Sequence, residues 1–395
     1  MLPNALATPS LDTSQNEGLG IGDWGLGIKD YFQLMTHAQS LIPIPQSFIL
    51  SPMLTQQLRF YPNRRIVAEP YELPSPAPNQ VLVKVNRSAI SAGSEMNFVR
   101  HGPEAYGIVP KPGDASYNIG YMATGQVVAL GDGVTQIAIG ERVLTGSTHA
   151  SHCLVDLSKT GTVMDRIPDN VSDDAACFAI LGDVALHGVR RANLQIDQAV
   201  AVFGMGMVGQ LTIQLARLSG AYPLIAVDLD DARLQMARAA GATHTINASR
   251  EDAVARIRQI TSELGRVTGA EVIFHCTQIA AILQSLLEAC ANRGRIILTG
   301  SPPGTATIRL QEDLLRREIS ITGIYESGMN EPHAYWAFTR ERNRRACLRM
   351  MSQGTLMIEP LITHRVSFAQ AQAMYDMMAS SPSGWLGVVF GWGED

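Results

Sequence analysis

Charge is scarce in this chain of 395 residues: 17% of positions are Asp, Glu, Lys or Arg, the formal net charge is -5, and no long basic run occurs. A nucleic-acid backbone or an anionic membrane surface calls for clustered Lys and Arg, so neither is an expected partner. Cysteine is equally sparse. Cys153, Cys177, Cys276, Cys290 and Cys347 are scattered, odd in number and without a CxxC pair, which fits reduced thiols in a cytoplasmic setting rather than a disulfide framework. Nowhere do eighteen apolar residues run together, and the first residues lack a basic stretch followed by an unbroken apolar one. Membrane spanning and export are therefore not expected. Apolar side chains are what the chain has in quantity. At 46% hydrophobic it reads as a folded globular protein, and its length calls for two domains rather than one core.

Residues 1 to about 50 stand apart. A Gly-rich start (Asn16 to Gly27) precedes a helical-looking segment from Asp30 to Leu41, with Tyr31, Phe32, Leu34, Met35 and Ala38 on it, and then Pro43 and Pro45. That apolar stripe either packs on the body of the protein or a neighbouring subunit, or belongs to a partly ordered tail. From Leu58 to Val155 short alternating strands follow, separated by Pro, Gly and Asn: Val81 to Val85, Gly125 to Leu130, Arg142 to Leu144 and Cys153 to Val155. Residues 174 to 192 read as a helix. Strands and helices then alternate, with strands at Glu271 to His275, Arg295 to Thr299 and Ile319 to Gly323, the pattern of a doubly wound parallel sheet. A helix from Arg344 to Ser352, the run PLITHRV and a helix from Phe368 to Ala379 are expected to fold back onto the β-rich part.

The most informative stretch is residues 199 to 228. An apolar run, Val200 to Phe203, enters Gly204-Met205-Gly206-Met207-Val208-Gly209; a helical pattern follows, and a second apolar run ends at Asp228, 24 positions after Gly204. Strand, glycine turn, helix, strand and acid in this order read as a dinucleotide-binding unit, or else as a tight βα turn without ligand. Gly204 makes the tight turn, Gly206 lets the backbone approach a pyrophosphate, and Gly209 lets the helix pack close to the strand. The helix N-terminus offers N–H groups to the phosphates. Asp228 would accept the ribose hydroxyls of the adenosine half and repel a 2′-phosphate, which favours NAD over NADP, although Arg233 lies near enough to meet a phosphate.

The order of parts, together with Ser91-Ala92-Gly93-Ser94-Glu95, GYMATGQVVALGDGVTQIAIGERV (Gly120 to Val143) and PLITHRV, resembles the medium-chain dehydrogenase/reductase superfamily over roughly Leu54 to Phe390. The resemblance implies an α/β protein with two domains. A GroES-like β-rich catalytic domain would occupy residues 51–184 and 327–395, a doubly wound Rossmann NAD-binding domain residues 185–326, and an extension residues 1–50. It also implies further cofactor contacts at Met207, Val208, Cys276, Thr277, Thr299, Gly300 and Ser301, a small-molecule substrate, and a homodimer or homotetramer formed through the sheet-edge region around Ser301 to Ile321.

Departures from the family pattern are as informative. Where zinc-dependent members carry Cys-Gly-Ser/Thr-Asp and Gly-His-Glu, this chain has Ala92, Tyr121 and Met122, and Asp183 stands in the third ligand position. The four-cysteine lobe is missing too. Zinc needs three protein ligands and an open place, so the expectation is a metal-free enzyme. His149, His152 and Cys153 are close in sequence, but neighbours on a strand face opposite ways and no fourth ligand is evident. Without a metal, protein groups must take the substrate proton and hold the oxygen. Ser94 matches the family's proton-relaying hydroxyl, or else caps the helix. Tyr121 replaces a ligand, or simply lines the pocket. Asp183 would have a raised pKa in an apolar pocket, or pair with Arg190 or Arg191. His187, four residues on along the same helix face, would lie by the nicotinamide as a proton shuttle, or be a core histidine. Glu95 is expected to hold an arginine or a backbone group, and Asn97 to pass on a hydrogen bond without taking a proton. The functional expectation is an NAD-dependent, zinc-independent oxidoreductase acting on a secondary alcohol or ketone, with a segment similar to bacteriochlorophyllide-type dehydrogenases. Two alternatives stay open: an NADPH-dependent C=C or quinone reductase, and an NAD-binding protein without catalysis.

Overall fold

The computed structural model describes residues 52–102, 116–325, 330 and 336–393; the helix expected at residues 30–41 lies outside them. β1 (Met53–Phe60) pairs antiparallel with β2 (Ile66–Leu73), burying Leu58 and Phe60. The sequence pattern does not mark this hairpin, because Gln56 and Gln57 interrupt the alternation on which a strand is recognised. β3 (Gln80–Ala89) turns Val81, Val83 and Val85 into the core. After α1 (Ala92–His101) come β4 (Tyr117–Asn118), β5 (Ala123–Leu130), β6 (Arg142–Thr145), β7 (His152–Asp156) and β8 (Met164–Arg166). The four strands expected between Val81 and Val155 lie within β3, β5, β6 and β7.

The single helix expected at residues 174–192 is two, α2 (Asp173–Cys177) and α3 (Ala179–Ala192). Phe178, fully buried, ends the first by donating its N–H to Ala175 O, and its own carbonyl accepts from Gly182 N to start the second. The expected domain boundary between residues 184 and 185 falls inside α3, an unbroken helix that carries the chain from one domain into the next.

The parallel sheet is built by β9 (Val200–Phe203), α4 (Met207–Leu218), β10 (Leu224–Asp228), α5 (Asp231–Ala239), β11 (His244–Asn247), α6 (Ala253–Glu263), β12 (Ala270–His275), α7 (Leu283–Ala289), β13 (Cys290–Leu298) and β14 (Ser320–Gly323). Strand order is β11-β10-β9-β12-β13-β14, every neighbour parallel. This is the doubly wound order that reverses beside β9. Both faces are covered, so all four residues of β9 are buried and its sequence is apolar without alternation.

The chain then returns through α8 (Arg340–Ser352), β15 (Ile362–Ser367), α9 (Ala371–Ser380) and β16 (Gly387–Gly391). β16 pairs antiparallel with β3, Val389 opposite Ala89, and β15 lies parallel to β16. Sequence-distant strands thereby complete one sheet with β3, β5, β6, β7 and β8. Among the described residues no helix is long and apolar enough to cross a membrane.

Candidate active site

The glycine turn sits where β9 hands over to α4. Gly204 has φ +93°, and a Cβ there would come within 2.7 Å of Thr277 Cγ2. At Gly209 a Cβ would lie 1.8 Å from Gly204 O, so only glycine lets the helix start this close to the strand. Gly206 is different. A Cβ at this position would meet nothing within 4 Å, and no side chain caps the N-terminus of α4 that it begins. The backbone there faces open space with N–H groups at hand, a cradle that fits a pyrophosphate.

Asp228 ends β10 beside this turn. Its Oδ2 accepts from Met205 N (2.5 Å), and its Oδ1 accepts from Leu229 N (2.7 Å) and Asp230 N (3.0 Å). Three backbone donors hold the carboxylate at the mouth of the turn, and a carboxylate oxygen with one partner keeps a lone pair for a ribose hydroxyl. Met207 is buried against the returning segment, its Cε 2.9 Å from where a Gly387 Cβ would lie; Val208 O accepts from Thr212 Oγ1 (2.8 Å). Cys276 and Thr277 follow β12, and Thr299, Gly300 and Ser301 follow β13. A Cβ on Gly300 would lie 2.4 Å from Thr277 O, so these two loops touch. Burial pushes the Cys276 thiol up to about 12, which keeps it protonated. The expected cofactor residues thus gather at the carboxyl ends of four neighbouring strands, β10, β9, β12 and β13. Arg233 stands apart from the others, with its guanidinium donating to Pro382 O and Trp385 O.

A second group of side chains surrounds the start of α1. Ser91 occupies the N-cap, yet its hydroxyl makes no capping bond; it is hydrogen-bonded to the Tyr121 hydroxyl. Ser94 Oγ lies 3.2 Å from the same Tyr121 oxygen. The structure therefore brings the expected Ser94 and Tyr121 together and adds Ser91. The sequence carried a signal for it, since residues three apart on a helical turn share a side.

Glu95 is almost fully buried just behind. Oε1 accepts from Ser91 N (2.7 Å), and Oε2 accepts from His149 Nε2 (3.0 Å) and from the Tyr375 hydroxyl. His149 Nδ1 lies 2.7 Å from Ser88 Oγ, which in turn accepts from Trp392 Nε1 (2.8 Å). An imidazole with its proton on Nε2 satisfies this whole network. Burial, with the Glu95 charge beside it, holds the Tyr375 phenol well above its ordinary range, so it donates. Glu95 thus holds a backbone group, as the sequence suggests, but a histidine and a tyrosine rather than an arginine. His149 is committed here and does not converge with His152, whose Nδ1 faces Ser151 Oγ (3.2 Å), or with Cys153.

Asp183 and His187 share a helix but not an environment. Asp183 is fully buried and accepts from Asn343 Nδ2 (2.8 Å) and Arg340 Nε (3.1 Å) of α8. Burial raises its pKa, while Asn343 and Arg340 favour the charged form. Its geometry is that of a link between helices; neither Arg190 nor Arg191 is its ion-pair partner, and no bond joins it to the Tyr121 hydroxyl. The expected rise in pKa is present, and the carboxylate is engaged by an amide and an arginine of α8 rather than by the Tyr121 hydroxyl. His187 is buried with no partner for Nδ1, edge-on to Trp336 with ring centroids 5.9 Å apart. Burial, with Arg191 and Arg190 nearby, pushes its pKa down to about 4. Thr299 Oγ1 is likewise buried without a partner, 3.1 Å from where a Cβ on Gly188 would lie. Gly188, the next residue of α3, is therefore close to the β13 loop of the cofactor cleft. Nothing local in sequence marks Trp336, which reaches it from the far side of the parallel sheet's sequence.

The residues that the resemblance sets at the family's ligand positions have these surroundings. Ala92 has no donor, Met122 is fully buried, the Tyr121 hydroxyl is engaged by two serines, and Asp183 is turned to α8. Among the described residues no group of three or more His, Cys, Asp or Glu converges to hold an ion.

Two family models match the chain: an alcohol dehydrogenase GroES-like domain over residues 77–166 and a zinc-binding dehydrogenase domain over residues 207–341. The second begins after Ala92, Tyr121 and Asp183. An L-threonine 3-dehydrogenase of Pseudoalteromonas atlantica is 26% identical over 341 residues, covering 79% of this chain and 93% of that protein. Among solved structures, the 2R,3R-butanediol dehydrogenase of Bacillus subtilis superimposes with a TM-score of 0.71 at 22% identity, covering 85% of this chain and 99% of its own. A short chain alcohol dehydrogenase of Escherichia coli complexed with NADH gives a TM-score of 0.71 at 19% identity, covering 86% and 99%.

Proposed function

Because the chain belongs to the medium-chain dehydrogenase/reductase superfamily, we propose that it transfers hydride between a secondary alcohol or ketone and NAD(H) without a catalytic metal. The single observation that carries this reading is the Tyr121 hydroxyl, held by Ser91 and Ser94 at a position where the family carries a metal ligand.

The nicotinamide, when bound, takes or gives the hydride. The chain's part is to hold the dinucleotide and to manage one proton. The turn Gly204 to Gly209 and the α4 N-terminus bind the phosphates, and Asp228 orients the adenosine ribose and disfavours a 2′-phosphate. In the oxidative direction the alcohol C–H leaves as hydride and the O–H proton passes to the Tyr121 oxygen as the Tyr121 proton moves to Ser94, whose half-buried hydroxyl releases its own proton to water. Hydroxyls can do this in sequence because each both donates and accepts. In the reductive direction the same groups donate to the ketone oxygen as negative charge grows on it. Glu95 fixes the backbone of Ser91 and so the direction of its hydroxyl. His187, neutral near pH 7, lines the cofactor side without adding charge.

The test combines elemental analysis with kinetics on an alcohol and ketone panel using NAD(H) and NADP(H). Turnover with NAD(H) is expected from protein free of stoichiometric zinc. Tyr121→Phe and Ser94→Ala are expected to lower kcat by about 10²- to 10⁴-fold, the range of a general acid or base, and Ser91→Ala by roughly tenfold, as a lost hydrogen bond to the acting group would. Stoichiometric zinc whose removal abolishes turnover would sink the proposal, as would Tyr121→Phe and Ser94→Ala variants that both keep kcat within about twofold.

A further inference from the structure

Arg233 lies on the first turn of α5, on the turn that Asp228 organises: Asp228 Oδ1 accepts from Asp230 N (3.0 Å), and Asp230 Oδ1 accepts from Arg233 N (3.3 Å). Its carbonyl accepts from Gln210 Nε2 (2.8 Å), a fully buried side chain that also reaches Met205 O of the glycine turn. The backbone of Arg233 is thus tied to the cofactor cleft, but its guanidinium points elsewhere. It lies over the Trp385 indole, 5.2 Å from the ring centroid, and Nη2 donates to Pro382 O (2.9 Å) and Trp385 O (3.1 Å). That anchor is fixed in turn, since Trp385 Nε1 donates to Ser381 O (2.7 Å) and Leu386 N to Thr363 Oγ1 (2.9 Å). Nε of Arg233 is left buried without an acceptor, a donor that a phosphate oxygen would satisfy. A guanidinium spent on two carbonyls and an aromatic face is not offered to an anion unless those contacts are given up.

We propose that Trp385, with the carbonyls of residues 382 and 385, is a specificity-determining hold on Arg233. By keeping that cation on the returning segment it denies a 2′-phosphate its counter-charge and reinforces Asp228 in favouring NADH over NADPH. Trp385 acts through Arg233 and is a positioning residue. The inference rests on the NAD reading above, and its test separates the two.

Calorimetric titration of the full chain with NADH and with NADPH gives the ratio of the two Kd values. In Trp385→Ala the NADPH-to-NADH ratio is expected to fall about tenfold, the scale of one charge-assisted hydrogen bond. Trp385→Phe, which keeps the aromatic face, is expected to retain the wild-type ratio, and Trp385→Ala with Arg233→Ala to restore it. A Trp385→Ala ratio unchanged while NADH still binds overturns the proposal. So does a selective loss of NADPH binding in Arg233→Ala alone, which would mean that Arg233 already faces the phosphate. If Trp385→Ala does not fold, Arg233→Lys decides: an ammonium cannot stack and serve both carbonyls as the planar fork does, so the ratio should again fall, and an unchanged ratio refutes the hold. Wild-type preference for NADPH would refute the NAD reading alone, because the hold is judged by the change from wild type.

Discussion

His187 shows how much one buried side chain can set. Its Nδ1 has no protein partner and its pKa is depressed to about 4 by burial and by Arg191 and Arg190. In the unfolded chain a histidine titrates near ~6.5. Between those values the unfolded state binds the extra proton, so stability contributed by the neutral ring is full above pH 6.5 and is lost as pH falls toward 4. The slope from one such group is at most about 1.4 kcal/mol per pH unit. Urea midpoints of the wild type should therefore decline from pH 7 to pH 5, and those of His187→Phe should decline less steeply; equal slopes would show that this ring does not titrate on unfolding. The identity of His187 was legible in sequence, but its setting was not, since Trp336 is brought to it from a distant part of the chain. Asp183, four residues earlier, carries the opposite lesson. Helical spacing put it on the same face, and only the packing of α8 showed that Arg340 and Asn343 occupy it.

At the scale of elements, the β9–α4 unit separates two uses of glycine. Gly209 is needed for packing, because its Cβ would strike the Gly204 carbonyl oxygen, a backbone atom that cannot move cheaply. At Gly206 neither packing nor backbone asks for glycine, because its φ of -68° suits any residue and its Cβ would meet nothing, which leaves the proposed approach to a pyrophosphate as its reason. Gly209→Ala is expected to cost about 1–3 kcal/mol of stability as α4 is pushed from β9. Gly206→Ala should stay within about 0.5 kcal/mol of wild type yet bind NADH roughly tenfold or more weakly, as contact with the phosphates is blocked. Thermal melts and calorimetric titrations on the two variants distinguish these outcomes; a Gly206→Ala protein with normal NADH affinity would show that the pyrophosphate lies elsewhere. Glycine spacing and an apolar strand are local signals, which is why this unit could be read directly. The β1–β2 hairpin and the break at Phe178 were not legible, because polar residues blur the first and the second depends on what Phe178 is buried against.

On the scale of the whole molecule, α8 fastens the returning segment with polar groups. Its sequence, RERNRRACLRMMS, looks like a solvated face, yet Arg344 is buried and donates through Nε to Asp165 Oδ2 of β8 (2.6 Å), while Arg345 Nε reaches Oδ1 (3.1 Å). Breaking a buried pair from one side leaves an uncompensated charge, so Arg344→Met is expected to cost about 3–5 kcal/mol, and Asp165→Leu combined with Arg344→Met to recover much of it. Denaturant titration of the single and double variants checks this; additive losses would mean that the pair is not coupled. By itself the sequence determined the elements whose causes are local: the parallel sheet's apolar strands, the glycine turn with Asp228, and the presence of Ala92, Ser94, Tyr121 and Met122 in the segments that carry the resemblance. Tertiary structure alone decided which polar groups meet. It joined Ser91 to Tyr121, withdrew Asp183 and Arg233 into links between segments, and closed Glu95, His149 and Tyr375 into a buried network. The physical reason is that strand and turn propensities act over a few residues, whereas a side-chain hydrogen bond depends on contacts between positions up to hundreds of residues apart, and these exist only once the cores have packed.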